Sequence, residues 1–394
     1  MLDPGNIPPD VAKARALSAV WTFPGVLMAS FIIGWGAEAA QFLVSQGLAL
    51  AMLAWLQTLP EFAVEAVIAW HRDVPLMTAN FTGSLRLLTG IAWPMIFFVS
   101  FFSLKGDKRV PIRKHRVVLE AEHAVSVVSL LPPLLYFTVI WWKASLTLVD
   151  SAILLFLYGL YLFALRKIPP EDAESVDELP FVPRKILALP GAGKAFGVLG
   201  LFVLGGILLW FITPTFLDSM LGLSVMLGVT PFVFVQWVSP FLSEFPEKVT
   251  AFAWARTQNK AAMALINMVS SNINQWTVLA AMIPMVYCAS LGHPQAIPFD
   301  AHQRSEILLT LAQGYLGFLL IVNMEFDYVE AIGLFVLWFV QFALPDTRHL
   351  ITGVYFAWCA LEILRRATGR RAWTAFTLFP DLWKHGRTGG HAHG

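Results

Sequence analysis

Charge is scarce in this chain: Asp, Glu, Lys and Arg make up 13% of its 394 residues, about half the share of an ordinary soluble domain. That excludes a water-exposed globular fold of this length. Cysteine is scarcer still, with Cys288 and Cys359 alone, both in apolar segments, so no disulfide framework is available. We read the two thiols as core or lipid-facing residues. No Gly-rich phosphate loop, nucleophile triad or Cys/His zinc pattern occurs, which removes the residues that ATP-driven transport or intramembrane catalysis would need. The chain is therefore not expected to be an enzyme, and no cofactor is expected. A net charge of +1 gives no reason to expect a nucleic-acid partner. No cleavable signal peptide is apparent, because residues 1–17 are mixed polar and the first apolar run leads into further ones; the N-terminus is expected to be retained.

What is abundant is apolar: 57% of the residues are hydrophobic, with 31 Phe and 15 Trp. Spanning about 30 Å of hydrocarbon takes roughly 18 to 25 such residues. Eleven candidate spans follow, at 18–43, 45–70, 75–104, 118–142, 146–165, 195–217, 226–255, 261–289, 305–323, 328–344 and 349–364. If they alternate, one side of the membrane receives 19 of the 27 basic residues. The positive-inside rule makes that side cytoplasmic, so the N-terminus is expected outside and the C-terminus inside a bacterial-type inner or plasma membrane. Trp141 and Trp142, beside Lys143, read as part of an interfacial belt.

The most informative residues are two Pro-Glu pairs in apolar surroundings, Leu59-Pro60-Glu61-Phe62 and Phe245-Pro246-Glu247-Lys248. Each is followed by a polar cluster, Asn80 to Ser84 and Asn267 to Ser271. The separations are 186 residues between the glutamates and 187 between the asparagines and between Ser84 and Ser271. Asp150 and Glu330, each near the start of the last span of its half and expected at the interface, repeat at 180. An internal repeat of five spans reverses its orientation in the second copy. The expected organisation is an all-α polytopic membrane protein: an N-terminal tail 1–17, a first repeat 18–165, a cytoplasmic linker 166–194, an inverted second repeat 195–344, and an extra transmembrane helix with a cytoplasmic tail, 345–394.

A carboxylate inside a membrane is costly and defaults to a function. A proline beside it withdraws one backbone donor and breaks the helical ladder, so Pro60 and Pro246 free the carbonyls of Leu56 and Leu242. Loose carbonyls, carboxylates and hydroxyls are hard oxygen ligands suited to Ca²⁺, Na⁺ or a proton, and poorly suited to soft transition metals. Gln57, Thr58 and Glu65 add oxygens in the first half, and Ser243 and Glu244 in the second. Glu65 shares a helix face with Glu61, and Glu244 precedes Glu247 by three, so all four carboxylates are expected to converge. The next span of each half contributes Asn80, Thr82 and Ser84, then Asn267, Ser270, Ser271, Asn272, Asn274 and Gln275. Small residues such as Gly83 and Ser270 allow close helix approach. Glu38 is a further candidate for an access route.

At these residues the chain resembles the cation/calcium exchanger superfamily, in particular the sodium/calcium exchanger group, whose two inverted repeats each carry a Gly-Thr-Ser-Leu-Pro-Glu-like and a Gly-Asn-x-x-Gly-Ser-Asn-like stretch. The resemblance covers about residues 18–344. It implies two packed five-helix repeats, Glu61 and Glu247 as the central Ca²⁺ ligands, and Thr58, Ser84, Ser243 and Ser271 as hydroxyl ligands for Ca²⁺ or Na⁺. The chain departs from that pattern at Leu56, Gln57, Leu242 and Glu244, has Leu85 and Leu88 where polar residues are usual, and has Gln275 where an acid or amide is expected. Arg86 and Lys248 add cations nearby. With four glutamates ionised, these two leave a local charge that one divalent cation neutralises, and on this account fixed cations replace some transported sodium.

The function expected is a secondary active antiporter exchanging Ca²⁺ or a similar cation for Na⁺ or H⁺ by alternating access, its partners being inorganic cations and the bilayer. A proton- or potassium-coupled cation carrier and a non-transporting sensor or scaffold are the alternatives. The acidic run 171–178 has no EF-hand spacing and reads as a solvated loop. The His-bearing end, residues 390–394, is a compositional hint of transition-metal binding only.

Overall fold

Apolar sequence in lipid must satisfy its backbone within each segment, and helices do so. The computed structural model describes residues 8–43, 53–104, 110–167, 176–257 and 259–385, and regular structure among them is almost wholly helical. Residues 171–175 of the acidic run, the tail 390–394, and the basic residues Lys105, Lys108 and Arg109 lie outside the described residues. Among the described residues five helical stretches are long and apolar enough to cross a membrane: Pro9–Leu43, Val74–Phe102, Ala121–Lys143, Leu148–Leu165 and Gly193–Leu227. Pro231–Ser243 and Tyr328–Ala343 are apolar but shorter. The expected spans 45–70 and 226–255 are each interrupted, at Thr58 and Glu244, so that new helices begin as Leu59–Trp70 and Phe245–Arg256. Two further irregularities recur, wide π-turns at Leu88–Ala92 and Gln275–Leu279, 187 residues apart like the polar clusters that precede them.

The chain divides into two units, each drawing on both halves of the sequence. One takes Met1–Ser84, Pro170–Glu247 and Leu279–Ile297. Its longest helix, Gly193–Leu227, packs along Ala19–Ala40. The approach is close enough that a Cβ on Gly205 would lie 2.5 Å from Ile33, as small residues permit when helices meet without water. Thr22 and Ser219 join hydroxyls at 3.1 Å across the same pair. Ala19–Ala40 also reaches the second helix break, where Phe31 meets Phe245 edge-on at 6.2 Å between centroids.

The other unit takes Leu85–Pro169, Lys248–Val278 and Pro298–Gly394. Here four helix starts carry reciprocal capping boxes: Glu120 with His123, Thr147 with Asp150, Asp300 with Gln303, and Asp327 with Glu330. Each satisfies donors that the first helical turn leaves open. The first and third boxes, and the second and fourth, are 180 residues apart. Asp150 and Glu330, expected at the interface, are thus buried instead, at 1% and 2% exposure. Burial is tolerated because each caps a helix and meets a cation: Lys143 at 2.5 Å from Asp150, and Arg371 at 2.6 Å from Glu330. A short antiparallel pair, Arg116–Val118 against Glu325–Asp327 with Val117 opposite Phe326, closes this end of the unit. Phe326 packs edge-on against Trp93 and Phe97. Both cysteines are buried, as the sequence suggested.

The C-terminal segment is bound to this unit by ions. Arg371 reaches Glu330, Glu362 at 3.0 Å and Asp327 at 3.7 Å. Burial works against its charge, but Glu330, Glu362 and Asp327 outweigh it and hold the guanidinium pKa above its ordinary value. Replacing Arg371 with Gln takes the cation from the buried Glu330, while Glu362 keeps Arg365 and Arg366, and a loss of about 3 kcal/mol is expected. Thermal unfolding of the purified protein in detergent reads this directly; an unchanged midpoint would show the segment to be loosely held.

Candidate functional site

Both helices break two residues before their prolines, at Thr58 and Glu244. Before Pro60 the Thr58 amide turns back to the Trp55 carbonyl at 3.3 Å, and before Pro246 the Glu244 amide bonds the Pro240 carbonyl at 3.0 Å. Each break is followed at once by a helix whose first turn holds a glutamate, Glu61 in one and Glu247 in the other. The positive end of a helix dipole favours an anion there. Glu61, Glu65, Glu244 and Glu247 are all 0% exposed.

Within the first unit the polar cluster on the Val74–Leu87 helix meets both breaks. Asn80 donates to the Glu65 carboxylate at 2.6 Å. The Ser84 hydroxyl donates to Glu244, and the Glu61 carboxyl lies within hydrogen-bonding reach of both Glu244 and Ser84. Thr82 accepts from Gln236 at 3.0 Å. This approach needs a glycine, because a Cβ on Gly83 would stand 1.8 Å from the Gln236 carbonyl oxygen. The hydroxyls of Thr58 and Ser243 donate to local carbonyls, Trp55 at 2.7 Å and Ser239 at 3.0 Å, which leaves their oxygen lone pairs as acceptors for a cation.

The fold brings Glu244, at the break itself, to Glu61. The expected convergence of four carboxylates is not found: among the described residues no three His, Cys, Asp or Glu side chains gather as a metal-holding group. The Glu61 and Glu244 carboxyls stand together with the Ser84 hydroxyl, and Glu65 with the Asn80 amide.

In the second unit the Ala261–Asn274 helix carries Asn267, Ser271 and Asn274 at spacings that share one face, all buried, and Gln275 follows at the π-turn. Ser270 continues into a chain of buried hydroxyls, bonding Tyr161 at 2.9 Å, which bonds Ser126 at 3.2 Å. Lys248 is buried at 6% exposure.

Arg86 corrects the charge count made from the sequence. It is fully buried and reaches Glu306 at 2.7 Å and Gln341 at 3.0 Å. Arg348, which the span count had left outside the membrane, is buried as well and holds the other Glu306 oxygen at 2.6 Å. Gln313 ties the network to the backbone carbonyl of Arg86 at 2.9 Å and bridges to Gln341. Arg86 thus answers a carboxylate of its own and is not available to offset the glutamates of the Pro-Glu motifs. Sequence reasoning passed over Glu306, Gln313, Gln341 and Gln236; the signal available was the same as for Glu61, a carboxylate or amide alone in an apolar helix.

The sodium/calcium exchanger protein family matches the chain over residues 15–166 and 197–344. The chain belongs to that family, whose members are secondary transporters of cations and not enzymes. Among solved structures it is similar to the H⁺/Ca²⁺ exchanger CAX, at 28% identity and a TM-score of 0.83 over 95% of this chain and 91% of that one. It is also similar to the sodium-calcium exchanger NCX_Mj, at 18% identity and a TM-score of 0.52 over 86% and 99%, and to YfkE, at 11% and 0.57 over 87% and 93%. The last two likenesses bear on the fold alone. No curated protein matches the chain.

Proposed function

We propose that this protein exchanges Ca²⁺ for H⁺ by alternating access, with Glu61, Glu244 and Ser84 at the heart of the cation site. The observation that carries the reading is the contact of two buried carboxyls with one hydroxyl between them. Two carboxylates that close cannot both stay charged unless something positive joins them. A proton does this when no metal is present, and a calcium ion displaces it, so the two ions compete for the same oxygens. Competition of that kind is what couples their movements in opposite directions. Similarity to the H⁺/Ca²⁺ exchanger CAX supports the same coupling.

The remaining ligands follow from the repeat. Glu247, Glu65, Asn80, Thr58 and Ser243 supply further oxygens, and Asn267, Ser271 and Gln275 take the role in the second half that the Asn80–Ser84 cluster has in the first. The recurrence of helix breaks, π-turns and capping boxes at near-constant offsets supports two inverted five-helix repeats, 18–165 and 195–344, with an extra helix after them. On the positive-inside count the N-terminus is external and the C-terminus cytoplasmic. Substrate sites of such transporters lie near the midplane, at interrupted helices.

Uptake of labelled calcium into proteoliposomes under imposed gradients tests the coupling. A pH gradient is expected to drive uptake, and a sodium gradient of equal size to add little. Full dependence on sodium with no response to pH would replace this reading with sodium exchange, and absence of saturable calcium binding would favour a non-transporting sensor.

A further inference from the structure

We propose that the second unit carries a separate binding site for a phosphate-bearing anion, in a cavity of about 630 Å³ that takes no part in holding calcium. Its wall is formed by the end of the Trp93–Phe102 helix, the segment around His115 to Val118, and the turn that joins Phe245–Arg256 to Ala261–Asn274. All the lining residues belong to one unit.

The chemistry of the lining selects an anion. Arg256 faces the cavity, is exposed, and stacks over Phe252 at 5.7 Å; among the described residues no carboxylate pairs with it. Arg116 donates from one nitrogen to the carbonyls of Arg113 and His115 at 3.0 and 2.9 Å and stands 3.9 Å from both Glu325 and Asp327, so it adds positive charge to the wall while Arg256 offers the open fork. A planar guanidinium matches the oxygens of phosphate in pairs. Between the two arginines lie His115, whose ring accepts or donates at Ser100, 2.9 Å away, and the polar side chains of Thr257 and Asn259. Ala261 and Ala262, the first residues of a 14-residue helix without a side-chain cap, also line the cavity and present unfilled backbone donors. The one acid on the wall, Glu120, is already engaged, accepting from the His123 amide in its capping box. On the span count this turn lies on the side richest in lysine and arginine, where anionic headgroups and soluble phosphates are both at hand.

The site bears on transport through its two helices. Phe245–Arg256 has Glu247 in its first turn and Arg256 at its end, and Ala261–Asn274 runs from the cavity to the Asn267 and Ser271 face. An anion bridging Arg256 and the start of the second helix ties these ends together. This consequence for flux rests on the proposed function; the binding does not.

The test uses the purified full-length protein. Thermal unfolding in neutral detergent is followed against inorganic phosphate, with chloride at equal ionic strength as reference. In parallel, native mass spectrometry compares lipids retained from vesicles of phosphatidylcholine alone and with phosphatidylglycerol. Arg256→Gln, an exposed change that leaves folding intact, is expected to weaken binding about tenfold, the loss of one charge-assisted pair; Thr257→Val gives a second variant. Saturable stabilisation by phosphate lost in Arg256→Gln identifies a soluble anion, and retention of phosphatidylglycerol lost in the same variant identifies a headgroup. Either supports the site. If neither ligand binds in saturable fashion, or if both bind Arg256→Gln as they do the native chain, the proposal is overturned, whatever calcium flux is observed.

Discussion

Calcium uptake into proteoliposomes is expected to stop when Glu61 is replaced by Gln, with apparent calcium affinity falling by at least about 100-fold. The figure follows from a comparison: removing a group that merely orients a metal ligand costs about 10- to 100-fold, and Glu61 is proposed as a ligand itself. The substitution keeps size and hydrogen-bonding capacity while removing the charge. Because the side chain is 0% exposed, no water can take over its role as it would at a surface. Glu244→Gln gives the informative companion. Its amide oxygen can still accept from Ser84, so packing survives, but neither side of the Glu61 pair can then hand over a proton through it. Residual calcium binding in that variant is expected to lose most of its dependence on pH, because the carboxyl that shares a proton with Glu61 is gone. Uptake by Glu61→Gln at the native rate, in protein with an unchanged unfolding midpoint, would remove Glu61 from the site.

The largest effect on stability is expected at Glu306. This carboxylate answers two buried cations, Arg86 and Arg348, and Glu306→Gln leaves both without their counter-charge. Breaking a buried pair by removing one partner costs about 3 to 5 kcal/mol, and here two partners are stranded. Arg348→Gln alone is expected to cost less, because Arg86 keeps both Glu306 and Gln341. The pair of variants therefore separates the worth of the network from the worth of any one bond, and a double variant measures their coupling. Equal and small losses in both would mean that water reaches Glu306 and solvates it.

The local part of this architecture was legible in the sequence. Pro60 and Pro246 interrupt their helices where a missing amide requires it, and the repeated spacing placed the polar clusters on the following helices. That Glu244 would meet Glu61 was not legible. Its place depends on how the helix that carries Ser84, more than a hundred residues away, approaches the break. Gly83 decides that approach through its lack of a side chain, a property visible in the sequence only once its neighbour Gln236 is known. Arg86 was misjudged for the same reason. Its partner Glu306 is 220 residues distant, and no local pattern announces it. The capping boxes at Glu120 and Asp300 were readable in principle as an acceptor followed three residues later by a second polar group, but in His123 the reciprocal partner is an unusual one.

The two π-turns set the aim of the polar clusters that precede them. Each holds one more residue per turn than regular winding needs. If Leu88–Ala92 relaxed to even α winding with that residue kept, everything before it would rotate by about 100° around the helix axis, swinging Asn80 and Ser84 off the carboxylates they now touch. The same rewinding within Gln275–Leu279 would turn Asn267 and Ser271 away in the matching fashion. A change of winding at either place would keep the hydrophobicity and the helices, and lose the aim of the oxygens.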